Sequence, residues 1–200
     1  MNEKFSDDLA HIRSMMERSS RFVSLSGLSG IGAGVTGVVG AFFANQIIEK
    51  SGGVTNGYYN HQTVYELIIV ALITLIVALF FGSFFTIRKS KKLGLAVWTS
   101  TTKKTMIQLS IPLLVGAIFC LALIKYEFFG LIAGTTLIFY GLALLNAEKY
   151  VFSDIKYLGM LEILLGCISL FWIGQGLLFW TIGFGFLHIV YGIILYRKYK

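Results

Sequence analysis

Apolar stretches alternate with short polar ones along the whole chain, at about residues 22–48, 64–87, 105–124, 128–145, 158–173 and 177–196. Each is close to the roughly 20 apolar residues that carry a helix across a bilayer. The pattern predicts an all-α polytopic membrane protein, with residues 1–200 forming a single domain of six transmembrane helices. The last two runs, over Tyr157–Tyr196, are separated by the Gly-Gln-Gly turn at Gly174–Gly176.

Two polar stretches carry patterns of their own. In residues 1–21, Phe5, Leu9, Ile12 and Met16 recur at helical spacing, which predicts a cytoplasmic amphipathic helix. Such a helix suits either a membrane surface or a protein partner. Before the third span, Arg88, Lys89, Lys91, Lys92, Lys103 and Lys104 flank an apolar segment that contains Trp98. This reads as an interfacial basic helix merging into helix three, with Trp98 as its anchor and anionic lipid headgroups as its contacts.

Within the first span, Gly27, Gly30, Gly34 and Gly37 form a stripe on one face. A face without side chains lets another backbone approach, either inside the monomer or at a homo-oligomer seam. Pro112 removes one backbone hydrogen bond from the third span and predicts a kink there. The freed carbonyl is left for Ser110 or a neighbouring helix to satisfy.

Composition excludes a soluble domain. The chain is 56% hydrophobic and 14% charged, with a mean hydropathy of +0.76. A soluble domain carries about 25% charge. Met1–Arg21 has no apolar core of a cleavable signal, and Asn2 stands where myristoylation needs glycine. Of the 17 Lys and Arg, all but Lys50 and Lys125 fall on one side of the six-span arrangement. The positive-inside rule then puts both termini in the cytoplasm. The basic charge has no aromatic platform or soluble domain beside it, which argues against nucleic acid.

Candidate chemistry is sparse. Each of the last two runs carries one ionisable group, Glu162 and His188. Counted from the cytoplasmic side they lie roughly 8 Å and 12 Å deep at helical rise, close enough to meet if the two helices pack as a hairpin. Glycines flank both, and Tyr191 shares a face with His188. Tyr140, Asn146 and Gln175 are the other polar groups able to join a cavity. The pair reads in three ways: a structural lock, a carboxylate reaching the interface alone, or a proton-handling site. Cys120 and Cys167 read as buried small hydrophobes. No hydrolase, nucleotide-binding or metal-spaced motif occurs, so neither catalysis nor a metal or cofactor is expected.

MMERSSRFVSLSGLSGIGAG at Met15–Gly34, YLGMLEILLG at Tyr157–Gly166 and LLFWTIGFGFLHIVYGIILYRKY near the C-terminus resemble an uncharacterised family of bacterial six-span inner-membrane proteins. The resemblance covers both ends of the chain and implies a bacterial inner membrane and no activity. Together these readings lead to a non-enzymatic accessory or sensory module with a cytoplasmic docking face for a protein partner. The alternative is a small transporter or proton-coupled carrier that uses Glu162 and His188.

Overall fold

The computed structural model describes residues 26–52, 60–151 and 153–198, and the amphipathic segment expected over residues 1–21 lies outside them. The described residues form six helices and no strand. These are α1 (Gly27–Lys50), α2 (His61–Lys92), α3 (Ser100–Lys125), α4 (Ile132–Ala147), α5 (Ile155–Phe171) and α6. The sixth begins as Gly176–Trp180, passes through a π-helical stretch at Thr181–Leu187 and ends as His188–Lys198. Five of the six are long and apolar enough to cross a membrane. Helix α4 reaches that length with the 3-10 turns that continue it at both ends, over Phe129–Tyr150, and the exception is α5, whose 17 residues span about 26 Å.

Packing follows the glycines. α1 packs against α2 and α6, and α4 against α3 and α5. The first part of α6 also touches α4 and α5. Gly27, Gly30, Gly34 and Gly37 all face α6, so the stripe is covered within the chain. A Cβ at Gly34 would lie 2.6 Å from the Gly185 carbonyl oxygen. A Cβ at Gly192 would lie 2.7 Å from the Gly27 carbonyl oxygen. The same device joins α4 to α5, where Gly141 meets Gly159 and Gly134 meets Gly166. On each of these two helices the glycines are seven residues apart, so a seam of bare backbone repeats every two turns. Close backbone approach gives dispersion contact, which drives helix association where lipid removes the hydrophobic force.

Outer faces are apolar and bare. Ile76, Ile118 and Leu121 are each about two-thirds exposed, in continuous surfaces on α2 and α3. In water such surface is an aggregation hazard; in a bilayer it is the lipid face. Cys167, on α5, is exposed and Cys120, on α3, is half-buried, which corrects the expectation that both are buried.

The basic segment differs from its expected form. α2 is 32 residues long, about 48 Å, so it outruns a bilayer core of about 30 Å. Arg88, Lys89, Lys91 and Lys92 therefore form its last turns, not an interfacial helix. Gly94, at φ +66°, then breaks the helix. The Leu95 N–H donates to Ser90 O and the Gly94 N–H to Lys91 O, a Schellman ending. Leu93–Thr99 is non-helical, and α3 starts from a capping box in which the Thr99 hydroxyl accepts from the Thr102 N–H. Trp98 stays exposed beside this turn, as do Lys103 and Lys104 in the first turn of α3.

Candidate functional site: an enclosed Glu162–His188–Tyr140 cluster

Three helices supply the cluster. α5 carries Glu162 between Gly159 and Gly166, on the face that meets α4. α4 carries Leu137 and Tyr140 between Gly134 and Gly141. α6 carries Gly183 and His188 across its π-helical stretch. Because the glycines bring the backbones together, the polar groups placed between them have no route to the surface. Glu162 is 0% exposed and His188 6%.

The hydrogen bonds define the histidine. His188 Nδ1 lies 2.9 Å from the Gly183 carbonyl oxygen, which only accepts, so Nδ1 carries a proton and donates to it. Tyr140 Oη lies 2.8 Å from Nε2. In the neutral ring Nε2 is the acceptor and the tyrosine hydroxyl donates. Glu162 Oε1 is 3.4 Å from the same Nδ1. That is ion-pair distance, longer than an ordinary N–H···O bond. Neither Glu162 oxygen has a hydrogen-bond partner among the described residues.

The space for the carboxylate comes from Gly183. A Cβ there would collide with Glu162 Oε2 and lie 2.5 Å from Leu137 Cδ2. Aromatic rings close the other side. Phe184 stacks on His188 at 5.9 Å, lies 5.0 Å from Tyr140, and touches Trp180 at 4.9 Å between ring centres. Tyr191 packs with Tyr140 and Leu187 against the buried cluster of Leu144, Ala147, Val151, Ile155, Leu158 and Leu195.

Electrostatics constrains what this arrangement can do. A single uncompensated charge at membrane depth is costly. The pair is neutral overall either as carboxylic acid with imidazole or as carboxylate with imidazolium. Because Nδ1 already carries the proton it donates to Gly183, the charged form needs a second proton on Nε2, which faces Tyr140 and not Glu162.

Of the polar residues singled out from the sequence, Glu162 and His188 meet, and Tyr191 is close by. Asn146 is elsewhere: its Nδ2 donates to Gln108 O at 2.8 Å and to Gln108 Oε1 at 2.7 Å. The reason is Pro112. Gln108 is four residues before the proline, so its carbonyl is the one the missing N–H leaves free. Asn146, from the neighbouring helix, takes the place of that N–H, and α3 continues through Pro112 unbroken. Gln175 lies exposed in the turn before α6. Gly183, whose missing side chain makes the site, had no signal in the sequence beyond its place in an apolar run.

No group of three or more His, Cys, Asp or Glu residues able to hold a metal occurs among the described residues. No protein-family model matches the chain, and neither a curated protein nor a solved structure matches it.

Proposed function

We propose that the chain is a six-span protein of the bacterial inner membrane, with both termini cytoplasmic, serving as a non-enzymatic accessory or sensory module. The observation that carries this reading is the enclosure of Glu162 and His188 between three helices. A carrier needs its coupling groups to meet water on alternate sides, whereas a packed contact holds helices in register. The sixth span is α5, whose 17 residues stand at the short end of the crossing range of about 17–25. Arg88, Lys91, Lys92, Lys103 and Lys104 cluster at one end of the bundle, and Lys198 and Asp154 pair at 2.8 Å between α6 and α5. This end is the docking face, for anionic headgroups and for a cytoplasmic protein partner.

The carrier reading has one observation in its favour. Among the described residues neither Glu162 oxygen has a hydrogen-bond partner, beside a π-helical stretch of the kind often found at functional sites. Purified protein in liposomes decides between the two. The module reading expects no proton or solute flux from the protein alone. Flux abolished by Glu162→Gln would establish the carrier instead.

A further inference from the structure

Between α1, α2, α4 and α6 lies a cavity of about 200 Å³, separate from the Glu162 cluster. Small residues make it: Ala44, Ala71, Ala133 and Gly176 stand where larger side chains would fill the space. Its two hydroxyls are turned away. Thr74 Oγ1 donates to Val70 O at 2.7 Å and Thr136 Oγ1 to Ala133 O at 2.8 Å, each within its own helix. Water in a cavity needs two to four polar partners, and this wall is predominantly apolar. Apolar cavities of about 150 Å³ stay dry and take up benzene or xenon. This one is larger, and it has a side entrance. α2 packs on α1 and lines the cavity with Ala71 and Thr74, while its outer face carries the exposed Leu72, Ile76 and Leu79, so the wall it forms stands against the lipid.

We propose that this cavity holds the acyl chain of a membrane lipid, entering sideways past α2; the proposal rests on the membrane reading above. The chemistry of the walls selects hydrocarbon, and the bilayer is the source of hydrocarbon that surrounds the opening. The cavity also has a link to the polar cluster. Trp180 forms part of its wall, touches Phe184 at 4.9 Å, and Phe184 stacks on His188 at 5.9 Å. A chain in the cavity therefore sets the position of the ring that packs against the Glu162–His188 contact. That gives the module a lipid to sense.

The test uses Trp180 as the reporter. In the Trp98→Phe, Trp172→Phe variant it is the remaining tryptophan of the three in the sequence. This variant is reconstituted in phosphatidylcholine and phosphatidylglycerol vesicles, with or without bromine on the acyl chains. Bromine quenches an indole it touches. The expected result is quenching of Trp180 that is lost when the cavity is filled by Ala133→Phe or, from the opposite wall, Ala44→Phe. Loss in either variant that keeps its helical circular dichroism supports the proposal. Quenching that persists in both, or that is absent from the start, overturns it. Failure of the protein to float with the vesicles is a different outcome, and it overturns the membrane reading itself.

Discussion

Replacing Gly183 by alanine is the sharpest perturbation the cluster offers. The new methyl meets Glu162 Oε2 on one side and Leu137 Cδ2, at 2.5 Å, on the other. Both side chains are 0% exposed, so neither has free space to move into. Overpacking a closed core costs about 1–3 kcal/mol. The fully enclosed site points to the upper half of that range. Gly82 supplies the control, since a Cβ there meets nothing within 4 Å. Gly82→Ala should be neutral or stabilising by up to about 1 kcal/mol, the helix preference of alanine over glycine. The assay is reversible unfolding in mixed micelles, reading the midpoint for Gly183→Ala, Glu162→Ala and the double variant. Removing the carboxylate relieves one of the two collisions. The double variant should therefore be more stable than the sum of the single losses by about 1–2 kcal/mol, within the range of direct neighbours. A Gly183→Ala protein as stable as the parent, or a double variant that is simply additive, refutes the packing described.

The other expectations are more local. Asn146→Ala should cost about 1–2 kcal/mol, because it orphans the Gln108 carbonyl, and Pro112→Ala in that background should recover most of the loss by restoring the N–H. Gly34→Ala drives a Cβ to 2.6 Å from the Gly185 carbonyl oxygen. It should part α1 from α6, read as a lowered unfolding midpoint of about 1–3 kcal/mol. Glu127 sits at φ +61° in the turn after α3. Glu127→Gly should raise stability by up to about 1 kcal/mol, since the left-handed conformation costs a non-glycine residue about 1–2 kcal/mol. In sealed vesicles, Lys125→Cys should react with an impermeant thiol reagent from outside and Lys104→Cys from inside. The reverse labelling would overturn the orientation.

Much of this was legible in the residue pattern, for definite reasons. Apolar runs long enough to cross lipid fold as helices, because nothing else satisfies the backbone there. That Glu162 and His188 meet was one of three readings open to the sequence, resting on similar depths and flanking glycines. Other features have a local signal as well. The Lys-Lys-Leu-Gly-Leu ending at Lys91–Leu95 and the Thr99/Thr102 capping box together mark a turn, a signal that competes with the basic charge and Trp98, which favour an interfacial helix. The role of Asn146 was similarly available, since Gln108 stands four residues before Pro112; what was missing was which helix lies opposite. Gly183 and the cavity could not have been found, because both depend on how three or four helices converge. Periodicity within one helix carries no information about that.

The most direct test of the account is whether water reaches the Glu162 cluster. Glu162→Cys, made in a Cys120→Ser, Cys167→Ser background and reconstituted in vesicles, can be exposed to a small charged thiol reagent from each side in turn. An enclosed contact predicts no labelling from either side until the protein is unfolded. Labelling of the folded protein from either face would mean that an aqueous path reaches the cluster, and the packed bundle proposed here would be wrong.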